Sequence, residues 1–392
     1  MSNMTYAYLV DIAIVRSNSM IYDTRVIKIL SSLHKRYDLL VLGWDRKGIY
    51  KFDYLKKEIN WKSDDKSKTY IKVLSVRAPF NRESLISYTP MIFYFPIFWM
   101  WVLLNLFKSR PKIVYACDLD TILPCYLYKV LFGKKLIFDV FDRYAMTLIP
   151  AKFKTLHAVI NLIEEFFSPR ADVLINISKE VLDTFRKKPK HSAIIMNCPK
   201  DYTIKKEESK DDHPLRIVYT GAIWRKTRGL ENIIAAIRDL TGVEFVMAGW
   251  YREKDKEFLD QILQISNVKF RGLLEPNDAL ALEASSDVMI ALYEPELLLY
   301  SVTLPNKLFE AMMCGVPLIT NVASEVVNEV GSGIIVKYND VDQIKQAIVT
   351  LRDNATLRQK LGLNGRKAFL EKYSWSKMEE ELFKICDSLL QK

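Results

Sequence analysis

Histidine is scarce in this chain. Four in 392 residues leave little material for a His-rich metal site or a Ser-His-Asp triad. Cysteine is little used as well. Cys117, Cys125, Cys198, Cys314 and Cys386 are scattered, and no two form a C-x-x-C pair. That argues against a zinc site or a disulfide framework and fits a reducing compartment. No basic-then-apolar leader opens the sequence, so no secretory signal is expected. No RNA- or DNA-reading motif is present, and nucleic acid is not expected as a partner.

What is present is ordinary globular material, 49% hydrophobic and 27% charged. The length exceeds what one core serves, so two domains are expected. Lys+Arg number 57 against 47 Asp+Glu, a net charge of +10, which favours an anionic partner such as a phosphorylated substrate or a phospholipid surface. One run, Met91 to Phe107, is almost wholly apolar and is followed by Lys108, Arg110 and Lys112. It is short for a membrane span and is interrupted by Pro96. Its Trp99, Trp101 and Tyr94 beside cations suit a segment lying in the headgroup region of an anionic membrane. A helix buried on a sheet is the other reading.

Along the chain, short apolar runs alternate with helical periodicity. Runs at 6–15, 39–42, 70–74, 113–116, 135–140, 172–177 and 193–196 read as strands. Asp23 reads as the cap of a helix from Thr24. Helices are expected over about 121–132, 152–167 and 179–187. Residues 199–214 are charged and poor in apolar groups, a linker. The pattern restarts at Leu215. The expected organisation is a first domain over 1–198, a second over 215–374, and a last helix over 375–392 with the option of returning to the first domain. The fold class is α/β: two doubly wound Rossmann-like domains facing a central cleft, with ligands at the carboxyl ends of the strands.

The stretch Leu304 to Thr320 organises the second domain. Pro305 opens a helix, Gly315 suits its C-cap, and Val316 to Thr320 reads as a buried strand. The amide-rich start of such a helix favours an anion such as a pyrophosphate. Glu310, one turn in, suits two hydrogen bonds from a ribose diol. The other reading is a solvated carboxylate on a capped surface helix.

Four patterns, in order, resemble the GT-B glycosyltransferases, specifically glycosyltransferase family 4. They are Tyr219-Thr220-Gly221-Ala222 with Arg228-Gly229-Leu230, then Met247-Ala248-Gly249, then Leu304 to Ile319, then Leu361-Gly362-Leu363-Asn364-Gly365-Arg366 with Ser374-Trp375-Ser376. Asp23-Thr24-Arg25-Val26 and Cys117 to Pro124 are also similar to that family. The resemblance implies a nucleotide-sugar donor held by the second domain, retention of anomeric configuration, and no cofactor or metal. In its terms Glu310 binds ribose and Arg228 binds the leaving pyrophosphate. Arg225 and Lys226 are alternates for that cation, and Lys307 is a phosphate candidate by position. Gly221, Gly249 and Leu273 complete the donor side, with Ser301, Thr303, Asn306 and Leu308 around the helix start. The family's first motif glutamate falls at Val302.

In the first domain the family's usual imidazoles are replaced by Cys117 and Phe141. Asp118 and Asp142 are then the acceptor-side candidates to orient a hydroxyl or take its proton, with Arg16 nearby. Asp118 read as a helix N-cap stays open. The expected function is a retaining hexosyltransferase acting on a glycan or lipid-linked acceptor in surface polysaccharide or glycoconjugate assembly, in the cytoplasm on the inner membrane face. A non-catalytic nucleotide-sugar-binding assembly subunit and a sugar-nucleotide epimerase are the alternatives.

Overall fold

The computed structural model describes residues 9–18, 20, 23–46, 67–76, 93–147, 153–202, 213–295 and 304–391. The chain divides into two units, Met1–Ile195 with Glu379–Lys392, and Met196–Met378.

Unit 1 carries a parallel sheet of β1 (Ile12–Arg16), β2 (Leu39–Trp44), β3 (Thr69–Leu74), β4 (Ile113–Cys117), β5 (Lys135–Val140), β6 (Val173–Asn176) and β7 (His191–Ile194). Their order is β3-β2-β1-β4-β5-β6-β7. The central strands are continuous apolar runs because helices cover both faces, and β1 places Ile12 against Leu39 on one side and Ile113 on the other. The helices are α1 (Thr24–Leu33), α2 (Phe95–Ser109), α3 (Leu119–Phe132), α4 (Tyr144–Thr147), α5 (Lys154–Phe167) and α6 (Lys179–Asp183).

Local chemistry sets several of these. Asp23 caps α1 by accepting from the Val26 N–H at 3.2 Å. Pro124 lies inside α3 and has no N–H for the Asp120 carbonyl. The Trp99 indole of α2 donates to that carbonyl instead, at 2.8 Å. Helix α6 stops at Asp183, short of the expected Lys187, where the Thr184 carbonyl and hydroxyl accept from Arg143 at 2.6 Å.

Unit 2 repeats the plan with β8 (Leu215–Thr220), β9 (Val243–Ala248), β10 (Val268–Phe270), β11 (Val288–Ala291), β12 (Leu318–Thr320) and β13 (Gly333–Ile335), in the order β10-β9-β8-β11-β12-β13. Its helices are α7 (Leu230–Ile237), α8 (Lys256–Ile262), α9 (Pro276–Ala284), α10 (Asn306–Cys314), α11 (Ser324–Val330), α12 (Val341–Asp353) and α13 (Ala355–Ala368). Gly315 ends α10 in the left-handed region, at φ 62°. Gly362 lets α13 pass close to that cap, since a Cβ there would stand 2.2 Å from the Gly315 carbonyl oxygen. Helix α13 stays α-helical to Ala368 and ends in a wider π turn, Phe369–Tyr373.

The last helix, α14 (Trp375–Leu390), begins with the Trp375 N–H on the Pro199 carbonyl at 2.9 Å. Its later residues group with unit 1. There Asp387 accepts from the Tyr37 hydroxyl at 2.6 Å, and Glu379 pairs with Lys35 at 2.7 Å.

Candidate active site

In an open parallel sheet, ligands collect where the strand order reverses, beyond the carboxyl ends. In unit 2 that point lies between β8 and β11. Gly221 follows β8 at φ 139°, and Gly249 follows β9 at φ 146°. A Cβ on Gly249 would stand 1.7 Å from the Gly221 carbonyl oxygen, so these two loops meet backbone to backbone. The contact carries on to Trp224 and Trp250, edge to face at 5.4 Å.

Arg228 stands at this point. Its guanidinium lies 5.3 Å from the Trp224 ring centroid and 5.1 Å from that of Tyr293, the second residue beyond β11. Asn321 fixes Tyr293 through both backbone groups: its side-chain oxygen accepts from the Tyr293 N–H and its amide donates to the Tyr293 carbonyl, each at 2.8 Å. Burial raises the Tyr293 pKa. Arg228 pulls it the other way, and the charges of Lys307 and Glu310 are also felt at the phenol. Arg228, Lys307 and Glu310 therefore share one neighbourhood around this ring.

Lys307, on the first turn of α10, sits between two carboxylates, 2.7 Å from Glu283 and 2.5 Å from Glu310. Thr220, the last residue of β8, bonds to both Glu283 and Lys307. Glu283 is fully buried at the end of α9. Burial, and then the charge of Glu310, push its carboxyl up to about 7 against the pull of Lys307. Burial opposes the Lys307 ammonium, yet the two glutamates outweigh it and its pKa rises.

Several expectations change here. Lys307 is not open to phosphate, because two carboxylates neutralise it. Glu310 does not offer both oxygens to a diol, since one is taken by Lys307. Leu308 makes no donor contact: its side chain is fully buried and its N–H donates to the Pro305 carbonyl at 3.0 Å. Arg225 is exposed and paired with Glu231, and the Lys226 carbonyl accepts from Tyr338. Asn306 accepts from Asn197 at 3.2 Å, and Leu273 is exposed. Ser301, Val302 and Thr303 lie outside the described residues. Glu283, Thr220 and Tyr293 were not among the expected site residues. Thr220 and Tyr293 were marked by position, at and just beyond the ends of the two strands that flank the reversal.

In unit 1 the reversal lies between β1 and β4. Arg16, the last residue of β1, bridges it to Asp118, just beyond β4, and binds Asp23 at 2.9 Å. The other Asp118 oxygen accepts from the Phe141 N–H at 2.7 Å and the Asp142 N–H at 3.3 Å. Asp118 occupies the N-cap position of α3, as the alternative reading expects, but its side chain makes no capping bond there. It is not a free acceptor base, with its carboxylate buried and both oxygens engaged. Burial pushes that carboxyl up to about 7 against the pull of Arg16. Its backbone holds φ 67°, ψ 172°, a glycine-like conformation costing about 1–3 kcal/mol for other residues. Asp142 is exposed beside it.

The two positions that stand in for imidazoles have their own partners. Phe141 lies under two guanidiniums, Arg16 at 4.7 Å and Arg25 at 4.8 Å. Cys117 is fully buried and burial raises its thiol pKa well up, so it is not poised as a nucleophile. Asp139 is also structural: Arg25 binds it at 2.8 Å and the Tyr115 hydroxyl donates to it at 2.6 Å. Among the described residues no group of three or more His, Cys, Asp or Glu side chains could hold a metal ion.

Comparison with known proteins adds the following. Residues 214–354 match the family model described as Glycosyl transferases group 1. The chain is 26% identical over 293 residues to an uncharacterized glycosyltransferase, MJ1069, of Methanocaldococcus jannaschii, covering 69% of this chain and 73% of that one. It is 28% identical over 164 residues to the GDP-mannose-dependent monoacylated alpha-(1-6)-phosphatidylinositol monomannoside mannosyltransferase of Corynebacterium glutamicum, covering 41% of this chain and 42% of the other. Among solved structures, sucrose-phosphate synthase from Thermosynechococcus elongatus superposes with a TM-score of 0.72 at 15% identity, over 97% of this chain and 99% of that one. Anabaena HepE in complex with UDP and glucose gives 0.69 at 13% identity, over 97% and 100%. The two parallel sheets with interleaved helices are those of the GT-B architecture.

Proposed function

We propose, from the premise that this chain carries a glycosyl transferases group 1 domain over residues 214–354, that unit 2 binds a nucleoside-diphosphate sugar and gives up its sugar to an acceptor hydroxyl. The observation that carries this reading is Arg228, held between Trp224 and Tyr293 where the strand order reverses. Aromatic neighbours orient a guanidinium, and oxyanions are bound along the N–H edge of such a planar group. Negative charge builds on the diphosphate as the glycosidic bond breaks, and a cation already in place stabilises that transition state. Glu310 is the ribose partner, through the oxygen that Lys307 leaves to it. Transfer retains the anomeric configuration and uses no metal, with arginine in the charge-neutralising role.

In unit 1, Arg16 and Asp118 act on the acceptor side by holding the backbone at Phe141 and Asp142, and Asp142 is the exposed carboxylate there. The acceptor is a glycan, one carried on a lipid at the inner face of the membrane. The name of the Corynebacterium relative, which specifies a phosphatidylinositol mannoside, supports that class.

The test is a thermal-shift panel of nucleoside diphosphates and their hexose conjugates with the intact chain, followed by transfer assays with and without chelator. One diphosphate and its sugar should raise the melting temperature of the wild type and not of Arg228→Ala. Product of retained configuration should form in chelator. No stabilisation by any nucleotide would overturn the reading. Binding without transfer to any glycan or lipid-linked glycan would favour a non-catalytic binder.

A further inference from the structure

Helix α5 of unit 1 is turned outward. Leu156, Val159, Ile163 and Phe166 recur at helical spacing, a stripe that normally faces a core, yet all four are exposed and Leu162 beside them is 69% exposed. The polar face points inward instead. Buried Arg143 takes Glu164 at 3.1 Å, Glu165 at 2.7 Å and the Asn161 side-chain oxygen at 2.7 Å. The Tyr144 N–H donates to Glu164 at 2.6 Å. This network fixes the rotation of α5 and leaves its apolar stripe exposed, with Phe166 at its end meeting Tyr126 at 6.4 Å and the Arg170 guanidinium at 3.8 Å.

The stripe continues across its neighbours. In α2, Phe98, Val102 and Leu106 face the sheet, while Ile97, Met100, Leu104 and Phe107 face out. In α3, Leu127, Val130, Leu131 and Phe132 face out. Phe107 meets Phe132 edge to face at 5.0 Å, joining α2 to α3, and Tyr126 meets Phe167 at 5.5 Å, joining α3 to α5. Of the 23 exposed large apolar side chains among the described residues, 13 lie on these three helices, and Phe93 and Phe153 lie just before α2 and α5. That is a continuous surface, not the usual scatter, and water alone does not favour it.

Its charge has one sign. The three helices carry only three carboxylates, Asp120, Glu164 and Glu165. Two bind Arg143, and Asp120 bonds to Ser17 and lies 3.6 Å from Arg46. Around the apolar surface stand Lys108, Arg110, Lys134 and Lys154, none in an ion pair with another described residue.

We propose that the α2–α3–α5 face of unit 1 is a docking surface for an anionic phospholipid bilayer, with the apolar side chains at acyl level and the four cations among the headgroups. Apolar area gives such a contact its strength and basic residues give it preference for acidic lipid. A second copy of this chain is the less suitable occupant, because a symmetric contact brings like cations together. No helix among the described residues is long and apolar enough to cross a membrane, so the contact is with the surface. The face also reassigns the tryptophans of the apolar run. Trp99 and Trp101 pack on the core, with the Trp99 indole committed to Asp120, so they are not the lipid contacts.

The experiment is vesicle flotation of the intact chain, with phosphatidylcholine vesicles and with mixed phosphatidylcholine–phosphatidylglycerol vesicles, beside light scattering without lipid. The proposal expects flotation with the mixed vesicles. Val159→Glu/Leu162→Glu on α5 and Leu131→Glu on α3 should each lower partitioning at least about tenfold, with unchanged circular dichroism. Lys108→Glu/Lys134→Glu should lower it about fivefold or more and remove the preference for phosphatidylglycerol. Failure of the wild type to float overturns the proposal. So does undiminished flotation of the α5 and α3 variants, or a wild-type dimer that those variants dissociate and that binds no vesicle. None of these readouts depends on sugar transfer.

Discussion

Lys307 and Glu310 lie one helical turn apart on α10, and their charged atoms are 2.5 Å apart. Lys307 is nearly buried, and it reaches Glu283 and Thr220 from two other elements at the same time. Lys307 is therefore a positioning residue for the glutamate, not a ligand for the donor phosphates.

Removing that cation should be costly. Lys307→Met leaves Glu283 and Glu310 facing each other without a counter-charge. Breaking a buried pair in this way costs about 3–5 kcal/mol. Urea unfolding of the variant should show the loss as a lower midpoint, and an unchanged midpoint would show that the cluster contributes nothing to stability.

Glu283 should make stability depend on pH. Its folded-state pKa is raised to about 7, so between the ordinary glutamate value and 7 the folded state holds a proton that the unfolded state has lost. Stability from this group is present at low pH and falls as pH rises through that window. Glu283→Gln keeps the shape and abolishes the titration. The wild type should therefore lose about 3 kcal/mol relative to this variant between pH 4.5 and pH 8. Parallel stability curves for the two proteins would contradict the assignment.

Gly249→Ala should disrupt the loops that carry Arg228's stacking partner. The new Cβ meets the Gly221 carbonyl, and the backbone at φ 146° disfavours any side chain. A loss of at least ~2 kcal/mol is expected, read as a fall in melting temperature. Gly133→Ala is the control. Gly133 also has positive φ, but a Cβ there meets nothing within 4 Å, so its cost should be the smaller.

Asp118→Asn should reduce acceptor turnover without weakening donor binding. The carboxylate ties Arg16 to the Phe141 and Asp142 amides, so its loss displaces the exposed Asp142. The checking measurement is a kinetic split: a higher KM for acceptor and a lower kcat, with the KM for donor unchanged.

Much of this architecture is legible in the sequence, for physical reasons. Strands buried on both faces must be apolar runs, and helices on a sheet must show their period, so the doubly wound order appears in the pattern. Caps are local, and Asp23 and Gly315 do what their residue types suggest. Two features are not local. Glu283 looks like any acid on an exposed helix, and only the approach of Thr220 and Lys307 from distant parts of the chain makes it a buried member of the site. For α5, periodicity marks an apolar stripe but not the direction it faces, which Arg143 decides. The way Asp118 is held is not legible for a similar reason. Asp118 ends a strand as a ligand-facing carboxylate should, and its engagement by Arg16 appears only when β1 and β4 are side by side.

The most direct test of the central claim is titration calorimetry of the nucleoside diphosphate that stabilises the wild type against Arg228→Ala. If the stacked guanidinium grips the diphosphate, Kd should rise about 10–100-fold with the unfolding transition unchanged. An unaltered Kd in a folded Arg228→Ala protein would place the diphosphate elsewhere and contradict the account.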